Sequence, residues 1–531
     1  MNHIELFAGC GGLSLGLETA GFELLVANEL SPMASETFAY NHLNADLDAQ
    51  KNIDKVFWVS SEHTRGNIKA RLRENPYQAT GLGRHHHSDL IELKPTNEEL
   101  KRSLLVGSII DINKILETKG NKLLKSLRSG LGEGSVDLVS GGPPCQSFSL
   151  AGMRDHTHHR NELPWEFARF VEKVKPKVAL LENVSGILRA FKIDGKQFYA
   201  WFEVAKAFAK IGYIPLCLHV NAKYVGTAQN RPRFIMIALR QDIYKSIKRN
   251  SQDQVLVDLL KPSADLYSKI KNGEDPEHGC IPYYDIEKDS LLFNESILSP
   301  LASHKGRLVS VKDAIDDLRS NRVAESDYVS HINSCYIKNH NHELNKQENH
   351  AHRRNNDKVR ARFRLYQIMN SLPKSQAKTI SNHLKTEGAS KIDQEILSEL
   401  KSHWMLDLTG AKISQPSEKQ VLEILSQLHT KKQTQRALAA NEPAPAALSI
   451  PDDACHYHES VNMQRTLTVR EMARIQSFPD WYQIKSKVTT GGQMRKFEVP
   501  QYTQIGNAVP PLLGVALGKV CRELIKISEH K

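Results

Sequence analysis

A chain of 531 residues is longer than one compact core ordinarily extends, so two domains, one of them with a large insertion, are expected. With 40% hydrophobic and 25% charged residues, and no apolar run of about 18 residues, the composition excludes the disordered and membrane-spanning classes. The 71 Lys and Arg against 60 Asp and Glu leave a formal charge of +11, which suits a polyanionic partner, because such side chains displace counterions from phosphates.

In chain order, the apolar stretch at residues 3–7 predicts a buried strand. Gly9, Gly11 and Gly12 follow, then a helical pattern over 13–19 closed by Gly21. Residues 23–28 predict a second strand and 32–40 a helix. Strand, glycine turn, helix and strand together open an α/β parallel sheet. Residues from about 49 to 105 are polar, carry the run Arg84, His85, His86, His87, and read as an insertion with short helices of its own. The sheet pattern resumes at 106–112, 136–140, 178–181, 215–220 and 233–239, with a clear helix at 198–211. Right-handed crossovers would stack these strands into one doubly wound sheet. Beyond Arg240 the pattern breaks into short apolar runs. Within it, 331–364 is rich in His, Asn and Arg, and 437–451 is Ala/Pro-rich and reads as a linker or a long loop. A helix mixing apolar and charged positions returns at 465–480, and 504–527 is helical and largely apolar.

Four places carry chemistry. The turn IELFAGCGGLSLGLETAGF lets backbone approach a ligand closely and presents free N–H groups at a helix start. Glu29, ending the second strand, suits ribose hydroxyls. In GGPPCQSFS, two prolines stiffen the chain before Cys145 at a carboxyl edge of the sheet, which favours a nucleophile over the small buried apolar residue that a lone cysteine ordinarily is. Glu182 of LENV ends the next strand and can serve as an acid or as a helix cap. The arginines of QNRPRF offer planar forks for a carbonyl or a phosphate. The seven cysteines form no CxxC pair, and His340, His342, His350 and His352 are irregularly spaced with no cysteine set, so no metal is expected. The N-terminus lacks a secretory pattern, which predicts a cytoplasmic, soluble protein.

The strings FAGCGGLSLG, PPCQSFS, ENV, QNRPR, RTLTVREMARIQSFPD and QIGNAVPP, in that order, resemble the cytosine-5 DNA methyltransferases of bacterial restriction-modification type. The resemblance covers residues 1–48, 106–240 and 463–531. The DPPY or NPPF tetrapeptide of amino-group methyltransferases is missing. The resemblance implies an α/β, Rossmann-like S-adenosylmethionine-dependent methyltransferase sheet with a second, smaller target-recognition domain. Residues 1–240 would be catalytic, with the insertion at about 49–105. Residues 241–460 would read the target, and 461–531 would supply a scaffold helix and a segment returning to the catalytic domain.

The activity so implied is methyl transfer to carbon 5 of a cytosine flipped out of duplex DNA. Cys145 would add to carbon 6, Glu182 would protonate ring nitrogen 3, and Arg233 would bind the base carbonyl; Arg231 would be a structural or phosphate contact. For the methyl donor, Phe7 would stack on the adenine, Gly9 and Gly11 would line the methionine, Glu29 would hold the ribose, Leu163 would give an apolar contact and Asn507 would complete the pocket. Where many members have Gly-Asp-Ile, this chain has Gly107, Ser108 and Ile109, so Ser108 is a shorter, neutral acceptor. The expected partners are double-stranded DNA and a cognate restriction endonuclease, with a monomeric enzyme on the nucleoid and no membrane. The basic stretch 331–364 is the candidate DNA contact. Two other readings share the scaffold: an RNA cytosine-5-methyltransferase and a catalytically silent DNA-binding regulator.

Overall fold

The computed structural model describes residues 1–83, 85–144, 162–193, 196–320, 322–338, 343–386, 392–432, 434–446 and 453–530. The first twelve strands in chain order are β1 Asn2–Leu6, β2 Glu23–Glu29, β3 Val56–Trp58, β4 Ser103–Val106, β5 Leu138–Gly141, β6 Val178–Val184, the hairpin β7 Phe191–Ile193 and β8 Lys196–Phe198, β9 Tyr213–Asn221, β10 Gln229–Asn230, β11 Pro232–Arg240 and β12 Tyr284–Asp285. Nine of them form one sheet in the order β12-β9-β11-β6-β5-β1-β2-β4-β3. Every pairing is parallel except those of β11, which runs antiparallel to both β6 and β9. The central strands are apolar on both faces because both are covered: β5 is buried throughout and β11 along all but its ends.

The strand expected at 106–112 lies earlier. β4 ends at Val106, Gly107 turns the chain at φ 145°, and Ser108 caps a helix, Ile109–Glu117. Of the isoleucines that suggest a strand, Ile109 and Ile112 lie on the buried face of that helix and Ile110 is half-buried; a short apolar run fits either period. The insertion contains the expected short helices, Ile68–Arg71, Asp89–Glu92 and Asn97–Leu100, and also adds β3 to the sheet edge.

The sheet body does not stop at Arg240. The helices Gln241–Asn250 and Gln254–Lys271 pack on it, and β12 extends it beside β9. A separate core is built from residues 361–437 with Cys455. The stretch 331–364 divides its basic residues: Lys338, Arg354 and Lys358 are exposed, while others serve the interior of these bodies. His350 bonds Thr468 and the Leu318 carbonyl, Arg362 donates to the Leu428 carbonyl, and Arg364 donates to the Trp404 carbonyl and lies over that ring; all three are buried. His340 and His342 lie outside the described residues.

The helix in the 465–480 region is short, Val469–Ile475, and buried on every side, charged residues included. Arg465 and Glu471 pair at 2.6 Å, and Arg474 forks onto Asp480 at 2.7 and 2.8 Å. The C-terminal helix Pro511–Glu529 lies against the first helix, Gly12–Thr19. A Cβ on Gly16 would stand 2.5 Å from the Gly514 backbone, so these axes meet only without side chains. Among the described residues no helix is long and apolar enough to cross a membrane.

Candidate active site

In an open α/β sheet, ligands bind beyond the carboxyl ends of the strands, where the strand order reverses. Here that point lies between β1 and β5, since β2 follows β1 on one side and β6 follows β5 on the other. A cavity of about 1000 Å³ opens there. That is at the upper end for small-molecule sites, enough for a nucleoside-sized ligand beside a second group.

The β1 turn supplies Phe7, at φ 56°, and Gly9, at φ 57°. A Cβ on Gly9 would meet no protein atom within 4 Å, so packing does not demand this glycine, but its left-handed backbone favours one. Gly11 differs. It is not on the cavity wall; a Cβ there would stand 2.4 Å from His42 and 2.6 Å from the Tyr482 hydroxyl. Its smallness serves a buried polar cluster in which His42 bonds Glu18 at 2.7 Å and Tyr482 at 3.0 Å. Against burial, His42 and Arg102 hold the Glu18 carboxyl down to about 2.

Glu29, at the end of β2, accepts N–H bonds from Gly9 and Ser31 at 2.8 Å each. Burial pushes its carboxyl up and those two donors hold it down, with burial prevailing. Ile109 and Leu163 give the cavity apolar walls, and Asn507 closes it from the C-terminal segment. Ser108 also lines it, but its hydroxyl already accepts from the Ile110 N–H as the helix cap.

Beneath the turn, Glu5 is buried and accepts a hydrogen bond from Ser14; burial pushes its carboxyl from 4.5 to about 8. The folded chain therefore holds a proton that the unfolded chain releases. Stability from this group is fully present below about pH 4.5, declines as pH rises, and is lost by about pH 8. Glu5→Gln is expected to raise the thermal midpoint relative to wild type far more at pH 9 than at pH 5. Equal differences at the two pH values would refute the buried neutral carboxyl.

The other end of the cavity belongs to β5, β6 and β11. Because β11 runs antiparallel, its first residues share an edge with the ends of the parallel strands. Its register sets Arg233 opposite Val184 and so diagonal to Glu182 on the same face. Arg233 Nε lies 2.6 Å from Glu182 Oε1, both side chains being largely buried. Burial works against the Arg233 charge and Glu182 supports it. Arg231 is committed elsewhere: it donates to the carbonyls of Gly506 and Ala508 at 3.0 Å each and so ties the C-terminal segment to β11.

Cys145 lies outside the described residues, but the loop leading to it is fixed. Asn183 donates to the Pro143 carbonyl at 3.1 Å, and Pro144 lines the cavity. A Cβ on Gly142 would stand 2.8 Å from Glu182 Oε2, so glycine there permits the close approach of this loop to the end of β6. Ser185, also on the wall, bonds His219 at 2.9 Å, and His219 bonds Asp285 at 2.7 Å, tying β12 to this end.

Of the residues singled out from sequence, Phe7, Gly9, Glu29, Ser108, Ile109, Leu163, Glu182, Arg233 and Asn507 thus line one cavity. Sequence reasoning missed Asn183, although it sits inside the ENV string. It also missed Pro76, Tyr77 and Thr80 of the insertion and Arg495 to Val499 near the C-terminus, which line the same space. Nothing in their local periodicity marks these segments.

A family model described as C-5 cytosine-specific DNA methylase matches residues 1–59 and 107–523. Type II methyltransferase M.DdeI of Desulfomicrobium norvegicum is 25% identical over 525 residues, covering 98% of this chain and 88% of the relative. Type II methyltransferase M.Bpa9945I of Bacillus paralicheniformis is 26% identical over 559 residues, with 98% of each chain covered. Type II methyltransferase M.AgeI of Thalassovita gelatinovora is 25% identical over 545 residues, covering 99% of this chain and all of the relative.

Proposed function

We propose, since the chain belongs to the C-5 cytosine-specific DNA methylase family, that it methylates carbon 5 of a cytosine flipped out of a specific duplex DNA sequence, using S-adenosylmethionine and a covalent adduct at Cys145. The observation that carries this reading is the Glu182–Arg233 pair, 2.6 Å apart, in the same cavity as Glu29, Gly9 and Pro144, the residue before Cys145.

The cavity fits the donor. The open glycine backbone at Gly9 suits an amino-acid tail, the Glu29 carboxyl suits ribose hydroxyls, and Phe7, Ile109 and Leu163 suit a purine. When bound, the donor supplies an electrophilic methyl group on a sulfonium. Gly11 would act only through the packing that shapes the turn.

Carbon 5 of cytosine is too weak a nucleophile to take that methyl group. The Cys145 thiolate would add to carbon 6, forming a C–S bond and pushing the ring electrons toward nitrogen 3. Glu182 would deliver a proton to nitrogen 3 and hold the exocyclic amine, and Arg233 would donate to the ring carbonyl. Carbon 5, now enamine-like, takes the methyl group. Loss of its proton then expels the Cys145 sulfur and restores the ring. The base must leave the stack for this to occur, at a cost of a few kcal/mol. The net charge of +11 would help to offset that cost through phosphate contacts.

Target reading would fall to the body with its own core at 361–437. The similarity to Type II methyltransferases supports a restriction-modification role, with an endonuclease of the same specificity as partner and the cytoplasmic nucleoid as the place of action. The test is expression in a host free of cytosine methylation, followed by bisulfite sequencing, together with labelled methyl transfer to duplex DNA and to tRNA. The expected result is protected cytosines at one recurring sequence and transfer to duplex DNA alone. Transfer to tRNA alone, or to neither, would overturn it.

A further inference from the structure

Residues 60–106 fall outside the family match, yet part of this segment borders the cavity. Pro76, Tyr77, Thr80 and Gly81 line it together with Ser108 and Asp111. Pro76 also borders a small adjoining hollow with Leu30 and Gly107, which places it at the carboxyl ends of β2 and β4. That is the end marked by Glu29, away from Glu182 and Arg233.

The segment is held in place from several sides. Gly81 donates its N–H to the buried Asp111 at 2.8 Å, and Ser60 donates to the Gly81 carbonyl at 3.2 Å. Thr80 donates to the Tyr77 carbonyl at 3.0 Å, and the Tyr77 N–H donates to Asn75 at 3.0 Å, closing a compact turn. Behind it, Arg71 and Asp89 form a fully buried pair at 2.9 Å, and Asp89 also accepts the Trp58 N–H at 2.8 Å, fastening the insertion to β3. On the cavity wall, the half-buried Tyr77 ring meets the half-buried Phe497 ring, with centroids 6.4 Å apart and planes inclined at 57°. Two aromatic side chains from segments more than four hundred residues apart in sequence thus meet on the cavity wall, one of them next to Pro76.

We propose that the insertion is part of the donor site: Tyr77, backed by Phe497, covers the nucleoside portion of the methyl donor. This inference rests on the donor reading given above. A ring at that place adds apolar area and a π face to a site whose polar groups are Glu29 and the backbone of the β1 turn. Gly81, fixed by Asp111, and Thr80, bonded to the Tyr77 carbonyl, hold the turn that carries the ring. Tyr77 is a binding residue for the donor and takes no part in the bond changes.

The test is calorimetric titration of the full chain, without DNA, with S-adenosylhomocysteine. Tyr77→Ala is expected to raise Kd about tenfold or more, and Phe497→Ala to raise it less; tenfold corresponds to about 1.4 kcal/mol. Tyr77→Phe, which keeps the ring, is expected to bind within about threefold of wild type. The ligand-free thermal midpoints of all three should match wild type, which separates lost binding from lost folding. If wild type binds and Tyr77→Ala binds equally well, the insertion is no part of the site while the donor reading stands. If wild type itself binds no nucleoside, both readings fall.

Discussion

Cys145→Ser is expected to abolish methyl transfer to duplex DNA, lowering kcat by at least about 10⁴-fold, the scale of loss seen when an enzyme is deprived of its only nucleophile. The reason is specific to sulfur. A thiolate is accessible near neutral pH and adds to an electron-poor ring carbon, whereas a serine hydroxyl stays protonated and cannot. Binding should survive, because the residues assigned to the donor and to the base edge are Glu29, Glu182 and Arg233, not Cys145. Unchanged donor affinity with lost turnover is therefore the expected pattern, measured by calorimetry and by labelled methyl transfer. Residual turnover within tenfold of wild type would exclude Cys145 as the nucleophile.

Glu182→Gln is expected to lower kcat by about 10²- to 10⁴-fold, the range that a positioned proton donor contributes. The amide keeps the shape of the carboxyl and can still accept from the exocyclic amine, but it has no acidic proton to give to ring nitrogen 3. Glutamine is the cleaner substitution here than alanine. Arg233 is largely buried with its Nε 2.6 Å from Glu182, so truncation would strand a guanidinium without its partner, at a cost of about 3–5 kcal/mol. A comparable thermal midpoint for the glutamine variant would show that the lost rate is chemical. Full activity of that variant would remove Glu182 from the mechanism.

What the sequence made legible, and what it hid, follows from the range of the interactions. Strands β1, β2, β5, β6, β9 and β11 were visible because each is a short apolar run whose both-sided burial needs no distant partner to be recognised. The direction of β11 was not visible, since apolar runs look alike in parallel and antiparallel pairings. Yet it is this reversal that sets Arg233 beside Glu182.

The glycines of the first turn looked alike as well. Gly9 is open toward the cavity, whereas Gly11 is pressed by Tyr482 and Gly16 by Gly514, from segments that meet the turn only after folding. The basic stretch 331–364 reads as one nucleic-acid face by composition, but the fold splits it: Lys338, Arg354 and Lys358 are exposed, whereas His350, Arg362 and Arg364 are each consumed by a hydrogen bond inside the fold. A sequence shows that a charge is present; whether it faces solvent depends on carbonyls supplied from elsewhere, here Leu318, Leu428 and Trp404. The place of Tyr77 on the cavity wall was likewise invisible, because nothing local in a polar insertion says where it docks.

The sharpest single measurement is a trapping experiment. Wild-type protein would be incubated with S-adenosylmethionine and duplex DNA bearing 5-fluorocytosine in place of cytosine, then digested and mapped by mass spectrometry. Fluorine cannot leave as a cation, so the ring stays bonded to the enzyme once methylated. The expected product is a denaturation-resistant, donor-dependent adduct on the peptide containing Cys145, carrying the added methyl group. Recovery of unmodified Cys145 from DNA that has nevertheless been methylated, or an adduct on another cysteine, would contradict the mechanism set out here.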